Sequence, residues 1–127
     1  MSELTLADLE STIDRHVAGY CEPDAARRLE LLASAWADTG TLVDPPFDGT
    51  GPVAIAALVD TVLEHYAGHT FRRSTAVDVH HSYARYGWEL VGPDGAVAVG
   101  GTDFVTVEDD GRIRSIVGFF GDLAPVG

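Results

Sequence analysis

Residues 83–120 read YARYGWELVGPDGAVAVGGTDFVTVEDDGRIRSIVGFF. They form three runs rich in β-branched and aromatic residues, separated by the turn sequences GPDG at 92–95 and DDG at 109–111. Glycine adopts the positive φ that tight turns need, and aspartate accepts hydrogen bonds from the turn backbone. The stretch therefore predicts an antiparallel meander, with one strand from Ala96 to Val107 and another from Arg112 to Phe120.

The segment before this meander also has a β pattern. Residues 71–91 contain no proline and only one glycine, yet they are too many for a single strand. We therefore expect the chain to fold back or bulge near residues 78–81.

The first part of the chain shows a helical pattern instead. Apolar residues recur there at spacings of three and four, which is typical of amphipathic helices. One helix is predicted within residues 5–21, with Thr5 as its cap. A second is predicted after residue 24, with Trp36 on its inward face and Gly40 as its end.

A short extended piece and a third helix complete the N-terminal part. The extended piece covers residues 41–44 and is halted by Pro45-Pro46, because proline cannot donate to a strand ladder. The third helix opens at residues 49–52, where Pro52 suits a first turn, and ends at Gly68. Helices followed by a meander predict an α+β fold, with the helices packed on one face of a curved antiparallel sheet.

Length and composition predict a single domain, residues 1–127. Hydrophobic residues make up 46% and charged residues 22%, which is ordinary for a folded protein. The longest apolar runs are too short to cross a bilayer, and the N-terminus, Met1-Ser2-Glu3, lacks the features of a signal peptide. A single cysteine, Cys21, excludes an internal disulfide. We therefore expect a cytoplasmic protein.

The distribution of charge argues against polyanionic partners. The net charge is −12, and the eight basic residues, all arginine, are scattered along the chain. A nucleic-acid binder needs a dense basic face, and an acidic surface is repelled by anionic lipid headgroups. We expect neither a nucleic acid nor a membrane as partner, whereas a small neutral or cationic molecule, or another protein, suits this charge.

Two aspartates stand among apolar or small neighbours. Asp44 ends a hydrophobic stretch before the prolines, and strand alternation places Asp103 on the same face as Val105. If that face is the inner one, burial raises the pKa of Asp103, and the protonated acid can donate a hydrogen bond to a developing oxyanion. Alternatively, Asp103 faces solvent or bonds to a backbone amide at a bulge beside residues 100–101, and Asp44 only caps a turn.

The histidines give weaker indications of a functional site than the two aspartates do. His16 flanks the inward stripe of the first helix, where it is either a functional group or a packed rim or core residue. His65 and His69 have the spacing of two metal ligands, but a glycine interrupts their face and no third ligand is near, so an exposed helix end is favoured and no metal is expected. His80 and His81 fall where the strand must break, so alternation does not say which of them points inward.

The order of five short motifs resembles that of the cone-shaped superfamily of nuclear transport factor, ketosteroid isomerases and SnoaL-like polyketide cyclases. These motifs are WAD at 36–38, VDP at 43–45, GGTDF at 100–104, GRI at 111–113 and GFFG at 118–121. The resemblance spans nearly the whole chain. It implies a closed cone, in which a curved antiparallel sheet packs against three N-terminal helices and encloses a pocket. Because this fold hosts enzymes, binding domains and scaffolds, it implies much less about activity.

The resemblance also implies roles for individual residues. Asp44 occupies the position of the general base of ketosteroid isomerases, and Asp103 that of the protonated aspartic acid in their oxyanion hole. The tyrosine that completes this hole is replaced by His16, a different donor that titrates near neutrality. The aromatic residues expected to line the pocket are Tyr20, Trp36, Tyr86, Trp88 and Phe120.

The resemblance does not extend to the limonene epoxide hydrolases, which share this fold, so epoxide hydrolysis is not expected. Those enzymes need an arginine and a second aspartate at positions that correspond here to Gly101 and Gly118.

The function predicted from these observations is acid–base chemistry on a small apolar carbonyl compound. It is isomerisation or SnoaL-like cyclisation and needs no metal or organic cofactor: Asp44 removes the proton α to the carbonyl, while Asp103 and His16 stabilise the enolate. The alternative is a non-catalytic ligand-binding or dimerisation module of the same fold. Because the outer sheet face exposes residues such as Tyr83 and Phe119, we also expect a homodimer.

Overall fold

A computed structural model describes residues 4–127 and shows an α+β domain of three helices and seven strands. Met1-Ser2-Glu3, on which the argument about a signal peptide rests, lie outside the described residues. In chain order the elements are α1 (Leu6–Cys21), α2 (Ala25–Ala35), β1 (Trp36–Asp44), β2 (Phe47–Thr50), α3 (Pro52–His65), β3 (Thr70–Arg73), β4 (Asp78–His80), β5 (Tyr83–Val91), β6 (Val97–Val107) and β7 (Ile113–Phe120).

Local sequence signals set where the helices begin. Thr5 and Asp8 form a reciprocal capping box at the start of α1. The side chain of Asp24 accepts a hydrogen bond from the backbone of Ala26 and so caps α2. Pro52 occupies the first turn of α3, where its missing N–H costs nothing.

The predicted second helix is too long, and the structure corrects it. α2 ends at Ala35, and Trp36 begins the nine-residue strand β1 instead of continuing the helix. The predicted extended piece, residues 41–44, is only the end of this strand. Gly40 is not a helix stop: it lies where the pairing register of β1 shifts, and a Cβ there would lie 2.6 Å from the Trp36 ring and 2.8 Å from the backbone oxygen of Ile113.

The strands form one curved sheet in the order β2-β1-β7-β6-β5-β3, with β4 also paired to β5. The pairs β5–β6 and β6–β7 are antiparallel, which confirms the predicted meander. The predicted α+β fold with a curved, mostly antiparallel sheet is confirmed, and the one parallel pair among the described strands is β1 with β7. The expected closure of the cone is wrong: the sheet stays open, with β2 and β3 at its two edges.

The predicted fold-back before the meander is confirmed. β4 pairs with the start of β5 through a tight turn, in which His81 adopts a positive φ of 52°. Five strands thus lie from Thr70 onward.

The helices cover one face of the sheet, here called the inner face. Leu9 and Ile13 of α1, Leu32 of α2, and Ile55 and Val59 of α3 share one buried cluster with inner-face residues of the sheet. Most of these side chains are almost completely inaccessible to solvent. The burial of their apolar surface holds the helices against the sheet. No helix among residues 4–127 combines the length and apolar character needed to cross a membrane.

Adjacent glycines in β6 make a matched test of this packing. A Cβ at Gly101 would lie 2.6 Å from the Trp88 ring and against the backbone oxygen of Phe119, whereas at Gly100 it would meet only ordinary contacts at 3.5 Å and beyond. We therefore expect Gly101→Ala to lower the free energy of unfolding by about 1–3 kcal/mol through overpacking. Gly100→Ala should leave it unchanged or raise it by up to about 1 kcal/mol. Equal effects of the two substitutions in urea unfolding would contradict this packing.

Candidate functional site

A cavity of about 400 Å³ lies between the inner face of the sheet and the helices α1 and α3. Its wall is mostly apolar, with side chains such as Val17, Leu42, Phe71, Leu90 and Val99. About half of the lining residues nevertheless carry a polar side-chain atom. They are His16, Tyr20, Asp44, Thr61, His65, Tyr66, Arg72, Tyr86, Trp88 and Asp103.

Residues from four adjacent strands line up in one row across the cavity floor. In the pairing register Tyr86 of β5 lies opposite Asp103 of β6, and Asp103 lies opposite Gly118 of β7. Val117 pairs with Val43, so Gly118 comes level with Asp44 at the end of β1. The row therefore brings the two aspartates that the sequence singled out to one surface.

Gly118 leaves space between the two carboxyl groups. A Cβ at this residue would lie 2.9 Å from Asp103 Oδ1 and 3.2 Å from Asp44 Cβ. The two side chains thus flank the place that a side chain of β7 would fill. A glycine in the last strand gives no sequence signal of such a role, because the role appears only once the register is known.

Asp103 is held by two donors from β5. Tyr86 Oη donates to Asp103 Oδ2 at 2.7 Å, and Trp88 Nε1 donates to Asp103 Oδ1 at 3.0 Å. Burial raises the pKa of Asp103 to about 6, while these two hydrogen bonds lower it and the nearby charge of Asp44 raises it. The aspartate accepts side-chain rather than bulge-amide bonds, and it does not face bulk solvent.

The expected rise in the pKa of Asp103 is confirmed, but it is smaller than a neutral acid at pH 7 requires. With a pKa of about 6, the carboxyl group is protonated in a minor fraction of molecules at pH 7. The physical reason is the pair of donors, Tyr86 and Trp88, which stabilise the charged form and which chain order alone does not place beside Asp103.

Asp44 lacks comparable support. Its Oδ1 atom is buried and has no hydrogen-bond partner among residues 4–127. Burial raises the pKa of this carboxyl group, and only the backbone amide of Phe47 acts in the opposite direction. The site thus holds two carboxyl groups whose pKa values are both raised, on either side of Gly118.

His16 lies on α1 with its ring between the core and the cavity. The side chain is almost fully buried, and Trp36 Nε1 donates a hydrogen bond to His16 Nδ1 at 3.0 Å. Burial lowers the pKa of His16 to about 4, so the ring is neutral at pH 7. A neutral ring that accepts at Nδ1 carries its proton at Nε2 and is a hydrogen-bond donor there.

Four of the five predicted aromatic residues line the cavity, and Trp36 does not. Tyr20, Tyr86, Trp88 and Phe120 contribute to the wall. Trp36 is completely buried behind His16. Burial and the two aspartates raise the pKa of Tyr20, so its hydroxyl group stays protonated.

The other histidines lie apart from the carboxyl groups or at the cavity rim. His65 lines the cavity from the exposed end of α3, whereas His69 does not line it. Neither His80 nor His81 points into the cavity: both are exposed, and their Nδ1 atoms lie 3.1 Å apart. Within residues 4–127 no group of three or more His, Cys, Asp or Glu side chains could hold a metal ion.

Comparison with solved structures identifies the relatives of this fold. A candidate isomerase of the SnoaL-like family from Agrobacterium tumefaciens shares 33% sequence identity and a TM-score of 0.85, over 91% of this chain and 99% of the other. The chain belongs to the SnoaL-like family. A SnoaL-like protein of Jannaschia sp., a candidate polyketide cyclase, has a TM-score of 0.74 at 12% identity, over 94% of this chain and 90% of its own. At that identity the similarity shows the shared fold alone.

Sequence comparisons add little to this assignment. No family model matches the SnoaL-like chain. A protein of Methylococcus capsulatus, named as a probable transcriptional regulatory protein, is 30% identical over 90 residues. The match covers 71% of this chain but 34% of that protein, so the SnoaL-like chain spans about a third of its length. A match over so small a part transfers no activity.

The raised pKa of Asp103 predicts a pH-dependent stability cost. The folded pKa is about 6 against an ordinary value of 3.8, so the protein loses stability as the pH rises between these values and the carboxyl group ionises. Asparagine is neutral, and it can accept from Trp88 and donate to the oxygen of Tyr86. We expect Asp103→Asn to raise the free energy of unfolding at pH 7 by on the order of 2–3 kcal/mol, with a much smaller gain at pH near 4.

Urea unfolding at both pH values measures this difference. The matched control is Asp109→Asn, which changes an exposed turn carboxylate and should have little effect at either pH. A gain for Asp103→Asn of equal size at both pH values would contradict the proposed cost of ionisation.

Proposed function

We propose that this SnoaL-like chain is an acid–base enzyme that acts on a small, neutral, apolar carbonyl compound, as an isomerase or a polyketide-cyclase type of enzyme. One observation carries the proposal: two carboxyl groups with raised pKa values and the buried His16 lie on one apolar cavity. Titratable groups with perturbed pKa values in a cavity are typical of catalytic sites. The similarity to a candidate isomerase at 33% identity supports the same class of reaction.

The electrostatics of the cavity favour a neutral ligand. Asp44 and Asp103 would repel an anion, and the cationic side chain at the wall, Arg72, is already paired with Glu89. The wall is otherwise mostly apolar, so an apolar body gains from burial there. A carbonyl group supplies the acceptor that a neutral histidine N–H can meet.

In the proposed reaction Asp44 takes a proton from the carbon α to the carbonyl group. The electron pair of the broken C–H bond forms a double bond to the carbonyl carbon, and negative charge develops on the oxygen. His16 Nε2–H and the protonated Asp103 donate hydrogen bonds to that oxygen. In an isomerisation Asp44 then returns the proton to another carbon. In a cyclisation the enolate carbon forms a bond to a second carbonyl carbon, the π electron pair of that C=O bond moves to its oxygen, and the proton held by Asp44 passes to the resulting alkoxide.

Ligand binding supplies the protonated form of Asp103 that this step needs. Burial already raises the pKa of Asp103 to about 6, close to neutral pH. An apolar ligand that covers this carboxyl group desolvates it and raises its pKa further. Asp44, at the end of β1, keeps the Phe47 amide as a stabilising partner for its charged form.

The test is exchange of the α proton of a panel of cyclic enones in deuterated water, followed by NMR. We expect Asp44→Asn to lower the exchange rate at least about 100-fold, because it removes the base. Asp103→Asn should retain part of the rate, since its amide still donates a hydrogen bond, and the exposed-site control Asp109→Asn should match the wild type.

Three other outcomes of this experiment would contradict the proposal or one of its residue roles. Equal rates for the wild type and Asp44→Asn would show that Asp44 is not the base. Loss of exchange in Asp103→Asn with retention in Asp44→Asn would exchange the roles of the two aspartates. Tight enone binding with no exchange in the wild type would identify a ligand-binding module instead of an enzyme.

We also propose that two chains pair through the outer face of the sheet. This face exposes large apolar side chains from neighbouring strands: Val43, Tyr83, Phe104, Val117 and Phe119. The rings of Phe104 and Phe119 contact each other edge to face, with centroids 5.9 Å apart. A contiguous apolar surface of this kind gains stability when a second copy covers it.

Sedimentation at micromolar concentration tests this pairing. We expect the wild type to sediment at twice the 13.5 kDa of one chain and Phe119→Glu to sediment as a monomer. Val53→Glu is the matched control, because Val53 is an exposed apolar residue on α3 and not on the sheet, and it should remain dimeric. A monomeric wild type would contradict the proposal.

A further inference from the structure

Trp36 and His16 form a buried pair whose role the proposed reaction does not explain. They come from different elements, α1 and β1, and the Trp36 indole N–H points at the Nδ1 atom of His16 at 3.0 Å. Their rings also meet edge to face, with centroids 5.5 Å apart. Trp36 has no exposed surface and does not line the cavity, so it acts on a ligand only through His16.

The surroundings of Trp36 fix the direction of its N–H group. Trp36 is the first residue of β1 and pairs with Ile113 of β7. Its ring packs over Gly40, where any side chain would collide with it at 2.6 Å. This packing and strand pairing hold the indole ring in place, so its N–H group keeps pointing at His16 Nδ1.

The pairing leaves one tautomer of the histidine. An indole nitrogen only donates, so His16 Nδ1 must accept and cannot carry a proton at the same time. The neutral ring then carries its proton at Nε2, the ring nitrogen that the bond from Trp36 does not occupy. Because His16 lines the cavity, this is the group left for a ligand.

We infer that Trp36 is a positioning residue that fixes His16 as the Nε2–H tautomer, so that His16 meets the ligand as a hydrogen-bond donor and not as a base. The ligand atom that His16 recognises is therefore an acceptor, such as a carbonyl oxygen. The catalytic use of this donor rests on the proposed function, but the tautomer and its cause do not.

The tautomer can be read directly in the wild-type protein. With labelled histidine and tryptophan, NMR at pH 7 should show a protonated Nε2 and an unprotonated Nδ1 for His16. It should also show a scalar coupling between Trp36 Nε1 and His16 Nδ1 across the hydrogen bond. His16→Gln identifies the His16 signals among the five histidines. An Nδ1–H tautomer, or two exchanging tautomers in the wild type, would overturn the inference without any Trp36 variant.

Two indole variants in the same protein separate positioning from general packing. Trp36→Phe keeps a ring but removes the donor, and we expect the nitrogen shifts of His16 to move toward a mixture of tautomers. Trp88→Phe removes the indole that donates to Asp103 and should leave the His16 shifts unchanged. Unchanged shifts in a folded Trp36→Phe protein would overturn the inference.

Enone exchange gives the second readout. If Trp36 acts through His16, Trp36→Phe should lower kcat/KM about tenfold in the wild type but have no further effect in a His16→Phe background. A loss of equal size in both backgrounds would assign Trp36 a packing role only. Absence of exchange in the wild type would overturn the proposed function, whereas the NMR result would still decide the tautomer.

Discussion

The candidate site depends on the absence of a side chain at Gly118. Asp103 and Asp44 belong to strands that are separated by β7, and in a sheet the side chain of the intervening strand normally stands between two such neighbours. At Gly118 any Cβ would lie 2.9 Å from Asp103 Oδ1 and 3.2 Å from Asp44 Cβ. Its backbone φ is not in the left-handed region, so the requirement for glycine here is steric. The mutual influence of the two carboxyl groups follows from this space.

Opposing influences on its pKa then set the protonation state of Asp103. Burial and the charge of Asp44 favour the neutral acid, whereas the donors Tyr86 and Trp88 favour the carboxylate. The result is a pKa of about 6, within reach of either form near neutral pH. A fully apolar environment would hold the acid neutral, and a nearby arginine would hold it ionised. The balance costs folding stability, which is a common property of functional sites.

The sequence predicted the parts of this structure that depend on local chemistry. The turns at 92–95 and 109–111 and the cap at Thr5 follow from residue types. Strand alternation placed Asp103 on the same face as Val105 but did not say whether that face is the inner one. The start of β1 at Trp36 did not, because Trp36 fits the apolar spacing of α2 and only its pairing with Ile113 makes it a strand residue. The donors to Asp103 and the role of Gly118 depend on register between strands, which no single stretch of sequence encodes.

His16 and Asp103 respond to pH in different ranges. Burial keeps the pKa of His16 at about 4, so its ring stays neutral and its charge is constant over the range in which Asp103, with a pKa of about 6, gains or loses a proton. His65, the other histidine that lines the cavity, lies at its exposed rim on α3. The tyrosine that the resemblance to ketosteroid isomerases implies at this position would also be neutral in this range. A tyrosine hydroxyl group rotates about its C–O bond, whereas the direction of an imidazole N–H follows the ring, and the ring of His16 is held by the hydrogen bond from Trp36.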